Sequence, residues 1–475
     1  MKCGKRRKVS RYTYSKRYLK KSTITVDFFI LQPLMLLLYT HTITPRLQYI
    51  VDFIGKELFD EGIAITTDAA LFKASKQPRL NYSAQEFADD EFFLRSTHLL
   101  FETDIHPQHF ECFEVNFYKA FFETSGDFPF DIFAASFYLL SRYEEYLPHA
   151  IDEYGRYAHI NSLAHREHFL TQPLINYWLQ LFKKALEYKF PELVFKPAQF
   201  KCLLTYDVDI AWSYLHKGWL RTIGGFYNSI RKREWGRVKD RWLVLRGKRK
   251  DPFDCFEWLD AWHLYCRMKP YFFFLAAKKT GRYDKNNACN KKPFRDLISY
   301  YARTWHLGAH PSWQSGDDAT LLKEEVEWLE VVGDKKITHS RQHYIRVSMP
   351  VTYRRLIEAG VERDFSMGYP TINGFRASVC SPFYWYDLQK EQATSLMIYP
   401  FCFMDANSLF EQKQNPQQTY NELLQYYERV KGCKGVFIPI WHNFILGTDP
   451  AYEGWRKMFE LFMKETVYWD AYTDE

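Results

Sequence analysis

The sequence predicts an α/β protein: a distorted (β/α) barrel of about seven strands, preceded by a smaller α/β domain. Three observations carry that expectation. After residue 200, short apolar runs alternate with helical stretches to the end of the chain. Before it, a mixed helix and strand pattern runs from 35 to 195, and Pro191 and Pro197 punctuate its end. The 475 residues are 47% hydrophobic and 19% aromatic, with only 21 Gly and 20 Pro, which excludes a disordered or collagen-like chain. At roughly 100 to 200 residues per domain, such a chain holds two or three cores.

Residues 1–34 read as a basic then apolar extension outside the fold. They imitate a secretory leader, but Pro33 interrupts the apolar run and no small-x-small site follows. Leu36–Tyr39 is the expected first strand. Thr44-Pro45 is a cap and first-turn signal for a helix over 45–58, with apolar positions Leu47, Ile50, Val51 and Ile54. Helices are also expected over 130–147 and 173–188. The domain assigned to 196–475 offers seven candidate strands: Phe200–Tyr206, Tyr271–Ala276, Trp305–Ala309, Ile337–His339, Gly374–Ala377, Met397–Tyr399 and Gly435–Pro439. Helical stretches such as 318–332 and 417–430 lie between them.

The net charge of +7 is a sum of unlike parts. Residues 1–34 carry +9 and residues 217–250 carry +10, which leaves −12 for the rest. Basicity is therefore local and gives no general hint of nucleic acid; no nucleic-acid motif accompanies it. The 217–250 insertion, with its interleaved Trp and Tyr, reads either as a solvated helical segment or as a contact for an anionic glycan or phospholipid surface. Nine cysteines without a C-x-x-C pair argue for a reducing compartment. The expected location is the cytoplasm, with peripheral membrane association and secretion left open.

Active sites of parallel barrels sit at the carboxyl ends of the strands, so the polar residues there matter most. Leu203–Asp209 is an apolar run ending in Asp207 and Asp209, two carboxylates with one residue between them. One can bind a cation while the other stays free as a base. In Trp305–Ser312, His306 and His310 are four apart, about 13 Å along a strand, too far to share an ion. His310 at the end is the better ligand. His339–Tyr344 supplies Arg341 and His343, Gly374–Ser378 supplies Arg376, and Ile438–Asn443 ends in His442.

Five motifs in this order, TYDVD, LGAHPSW, SRQHY, GFRAS and IPIWHN, resemble the polysaccharide deacetylase (NodB-homology, carbohydrate esterase family 4-like) superfamily. The closest resemblance is to a bacterial branch with an extra N-terminal α/β domain. That resemblance implies a hydrolase that removes N-acetyl groups from a glycan or sugar precursor with one divalent metal, zinc as first choice. It implies Asp207 as base, Asp209 and His310 as metal ligands, Arg341 or Arg376 as the group orienting the base, and His442 as acid. The second histidine of the family's His-x-x-x-His falls on Gln314. The third ligand is then His343, Gln314 or His306, with His343 preferred. Two further readings stand beside it: a metal-dependent glycosyltransferase using DVD, and a non-catalytic glycan-binding relative.

Overall fold

The computed structural model describes residues 35–468. The expectations placed on 1–34 lie outside the described residues. The described residues group as one compact unit.

The chain opens as the apolar pattern requires. Leu36–Tyr39 is the first strand, and Pro45–Leu58 the first helix. Thr44 caps that helix by accepting from the Leu47 amide. Leu47, Ile50, Val51 and Ile54 are fully buried on its inner face. A four-stranded, all-parallel sheet follows, in the order Ile63–Thr66, Leu36–Tyr39, Arg79–Ser83, Phe92–Arg95. The largest apolar cluster lies around this sheet and the helices Ile132–Leu140 and Leu174–Lys189. It continues into the hairpin Phe383–Asp387/Gln392–Ile398 of the second sheet, so one core joins the two sheets.

The second sheet has nine strands. In spatial order they are Phe383–Asp387, Gln392–Ile398, Arg363–Asp364, His339–Ser340, His306–His310, Tyr271–Leu275, Thr205–Val208, Pro439–His442 and Phe403–Met404. All pairings are parallel except the first, which is the antiparallel hairpin. The ladder does not close: the hairpin and Phe403–Met404 are its two edges. The expected barrel is thus an open parallel sheet. Irregular chain spans part of the gap, where the Phe401 amide donates to the Met367 carbonyl at 3.0 Å.

Three of the expected strands are corrected. Gly374–Ala377 is a turn. Its Gly374 has φ 155°, and a Cβ there would collide with Leu170. Phe200–Tyr206 splits into Lys201–Cys202 and Thr205–Val208. Gly435–Pro439 splits likewise, into Val436–Phe437 and Pro439–His442. The strands Arg363–Asp364 and Phe403–Met404 were not expected, since two residues are too short to show a period.

Strand alternation decides what faces the site. Tyr206, Val208, Phe272, Phe274, Leu307, Ala309 and Trp441 belong to the cluster under the flanking helices. Their neighbours Phe273 and Ile440 belong to a smaller cluster on the other face, with Ile345, Phe365, Phe401 and Met404. By the same alternation Asp207, His310 and His442 point to that inner face. Gly308 sits between His306 and His310 because a Cβ there would come within 2.5 Å of the Phe273 ring.

Candidate metal centre and acid–base site

Register brings the site together. Asp207 pairs with His442 across neighbouring strands, and Asp207 pairs with Phe273 on the other side. Ala309 pairs with Ser340, which sets His310 beside the chain leading into Arg341 and His343. These are all carboxyl ends, where a parallel sheet leaves its polar groups free of the ladder.

Asp209, His310 and His343 offer ligand atoms that all lie within 4.8 Å of one another. His310 Nε2 is 3.2 Å from Asp209 Oδ1, and His343 Nε2 is 3.9 Å from Asp209 Oδ2. Each imidazole is oriented through its other nitrogen. His310 Nδ1 meets the Arg341 carbonyl at 2.6 Å, and His343 Nδ1 meets Asp284 Oδ1 at 2.9 Å. Both rings therefore donate away from the site through Nδ1–H and, when neutral, present an Nε2 lone pair toward Asp209.

Those lone pairs test whether a cation fits. Asp209 Oδ1 is buried and accepts no hydrogen bond. A lone pair facing an unpartnered carboxylate oxygen is repulsive unless a positive charge sits with them. Without a cation a proton fills that role: burial works against the charged ring, but the Asp207 and Asp209 carboxylates raise the His310 pKa. Asp209 is held ionised in turn. Burial opposes its charge, but the His343, His310 and His442 rings draw its pKa below the usual carboxylate range. Two imidazole nitrogens and one carboxylate oxygen suit zinc, and tetrahedral bonds of about 2.0–2.1 Å separate ligand atoms by roughly 3.3 Å.

Two buried pairs flank this cluster. Arg341 donates from Nη1 to Asp207 Oδ1 at 2.8 Å. Its remaining donors are fixed by Thr205 Oγ1 at 2.9 Å and the Phe365 carbonyl at 3.0 Å. The guanidinium lies over the Phe273 ring, 4.4 Å from its centre. On the other side, Asp405 accepts from the His442 backbone amide at 2.8 Å and meets His442 Nδ1 at 2.6 Å. Burial alone would discharge His442, but Asp405, then Asp209 and Asp207, lift its pKa to about 9. Its Nε2 lies 3.8 Å from Asp209 Oδ2.

The remaining expectations sort cleanly. Arg376 is not at the site: Nε and Nη2 bind both oxygens of buried Glu145, at 2.8 and 2.5 Å. Arg341 alone orients Asp207. His306 stacks on Tyr271, ring centres 4.4 Å apart, at the far end of its strand from His310. Gln314 is turned to a supporting carboxylate. Its Nε2 donates to Asp284 Oδ2 at 3.0 Å, so it holds the carboxylate that holds His343. Asp284 and Asp405 were missed by sequence reasoning. Asp405 had a signal, since it ends the apolar run Phe401–Met404; Asp284, in the polar loop Gly281–Asn287, had none.

A cleft opens over these groups, lined by Asp207, Asp209, His310, His343 and His442. The segment before residue 195 reaches its rim. Arg156 lines the cleft and donates to the Tyr344 carbonyl at 2.9 Å, and Tyr154 stacks on Tyr344 at 5.3 Å. No helix among the described residues is long and apolar enough to cross a membrane.

Comparison with known proteins adds the following. Residues 36–191 match a family described as Family of unknown function (DUF7033). No curated protein matches the chain. Among solved structures, the chain is similar to a Mycobacterium smegmatis protein assigned as a polysaccharide deacetylase. The identity is 14% over 58% of this chain and 88% of that one, with a TM-score of 0.37. It is similar to the polysaccharide deacetylase Bc1974 from Bacillus cereus, at 13% identity over 56% and 88%, TM-score 0.28. A third is Puue allantoinase, at 13% identity over 56% and 85%, TM-score 0.35.

Proposed function

We propose that the chain is a metal-dependent hydrolase that removes N-acetyl groups from a glycan or a sugar precursor. The observation that carries this reading is the convergence of Asp209, His310 and His343 between an Arg-held carboxylate, Asp207, and a carboxylate-held imidazole, His442. An amide needs a strong nucleophile and a protonated leaving amine, and the two flanking pairs suit those needs.

A zinc ion held by Asp209, His310 and His343 would acidify water and polarise the acetyl carbonyl. Asp207, oriented by the Arg341 hydrogen bond, takes a proton from the attacking water as its oxygen bonds to the acetyl carbon. His442 enters as imidazolium and gives the Nε2 proton to the sugar nitrogen as the carbon–nitrogen bond breaks. Acetic acid and a free amine leave; the acetic acid and Asp207 protons pass to solvent, leaving acetate, and His442 takes a proton back from solvent. Asp405 fixes the His442 ring and favours its charged form. The glycosyltransferase alternative leaves the paired His442 and His343 without roles.

We read residues 35–195 as an accessory α/β domain ahead of the hydrolase part, contributing Arg156 and Tyr154 to the substrate rim. The test is acetate release from N-acetylated oligosaccharides by the zinc-loaded protein, with Asp207→Asn and His442→Gln as controls. Release by the wild type that falls at least about a hundredfold in both variants supports the reading. Release that is absent, or unchanged in both, contradicts it.

A further inference from the structure

The basic insertion folds as two helices, Trp219–Arg231 and Trp235–Leu245. They pack closely where Arg241 crosses Gly225, a position at which a Cβ would collide with the guanidinium. Arg241 lies between the rings of Tyr214 and Phe226, at 4.6 and 5.4 Å.

The outward face of the first helix is apolar. Trp219, Leu220, Ile223, Tyr227 and Ile230 are 47% to 71% exposed. At helical spacing they fall within an arc of about 100°. Trp235 and Trp242 add two exposed indoles on the second helix. Arg231 ends the first helix, Lys232 and Arg233 follow it in the turn, and Lys248 lies over the exposed Trp242 ring, 5.8 Å from its centre. An amphipathic helix with Trp and aliphatics on one face and Lys/Arg at its border is the pattern of a segment lying in a bilayer interface.

Beneath the hairpin lies a cationic cleft lined by Lys217, Arg221, Asn228, Arg237 and Arg241, with Asp449 the one carboxylate in its wall. Arg237 reaches Asp449 only at 4.0 Å, and the buried Arg241 Nε has no hydrogen-bond partner. Burial, with the Arg221 and Arg241 charges added, pushes the Lys217 ammonium down to about 8. These cations outnumber the one carboxylate in the wall, and a phosphate there relieves both their repulsion and the unpartnered donor. Aliphatic Leu220, Ile223 and Ile230 speak against a glycan as the partner, because sugar rings stack on aromatic faces and gain little from aliphatic ones.

We propose that the Trp219–Leu245 hairpin docks the protein in the plane of an anionic phospholipid bilayer, with its apolar arc inserted and lipid phosphates seated in the cationic cleft. The proposal is independent of the deacetylase reading. The test is flotation of the full-length protein with vesicles of phosphatidylcholine alone, or with about one-third phosphatidylglycerol. The wild type floats with the anionic vesicles and not with the neutral ones, and salt weakens the binding. Trp219→Ser/Ile223→Ser and, separately, Arg231→Gln/Arg233→Gln each reduce flotation by about tenfold or more while melting temperature and metal content stay unchanged. Four results overturn it: no flotation, equal flotation with neutral vesicles, flotation unaffected by either double variant, or lipid-free dimers that Trp219→Ser/Ile223→Ser converts to monomers. Binding to soluble dextran sulfate without vesicle binding also overturns it, because it identifies a polyanion contact rather than a membrane one.

Discussion

Gln314 donates through Nε2 to Asp284 Oδ2 at 3.0 Å, at the position where the resembling family carries a second histidine ligand. Asp284 then holds His343 Nδ1 at 2.9 Å and accepts the Trp313 amide at 2.8 Å. On the proposed reading His343 serves as a ligand, and Gln314 supports it from behind through Asp284.

That relay gives the first prediction. Asp284→Ala frees the His343 ring to rotate and lowers zinc affinity by about 10- to 100-fold. Gln314→Ala, which leaves Asp284 its other partners, lowers it less. Competition against a chelator of known affinity measures both. Equal affinities in wild type and Asp284→Ala would contradict the relay.

The Asp405–His442 pair gives the second. Asp405→Asn removes the nearest anionic partner of His442 and lowers its pKa by about one to two pH units. Zinc content is unchanged, but turnover at neutral pH falls by about 10²- to 10⁴-fold because less imidazolium is available and its ring is poorly held. A variant that retains wild-type turnover removes His442 from the role of acid.

The third prediction concerns stability alone. Glu145 is buried between Arg376 and Arg142. Burial opposes its charge, but the two guanidinium groups hold its pKa down to about 2. Its folded pKa is lower than its unfolded one, so this stabilisation is complete above about pH 4.5 and is lost as pH falls toward 2. The stability gap between wild type and Glu145→Gln therefore narrows over that window in urea titrations. Arg376→Met leaves Glu145 one partner short and costs about 3–5 kcal/mol, with no loss of zinc affinity. A large loss of zinc affinity in Arg376→Met would return that arginine to the site.

Much of the site was legible because parallel strands end in their functional groups, and an apolar run followed by Asp or His is visible without a structure. Asp207, Asp209, His310 and His442 carry that signature, Arg341 and His343 stand just past another strand end, and the structure gathers all six around one cleft. Arg376 carried it too, but Gly374 at φ 155° makes the expected strand a turn and sends the guanidinium to Glu145. Chain spacing has no means of naming a partner 231 residues away. The helix over Pro45–Leu58 was legible to the residue, because cap, first-turn proline and apolar periodicity agree there. The open sheet was not legible, since one interior strand and one edge strand are two residues long with no period to detect. Asp405 carried the same signature at the end of Phe401–Met404 and was passed over, whereas Asp284 acts through His343 from a polar loop that leaves no such mark.

The central claim is that Asp209, His310 and His343 together hold one divalent cation. Metal analysis of the purified chain tests it most directly, with His343→Ala and His306→Ala prepared alongside. The account predicts about one zinc per chain in the wild type and in His306→Ala, and little in His343→Ala. A wild type without bound metal, or a His343→Ala variant that keeps its zinc with unchanged affinity, would contradict it.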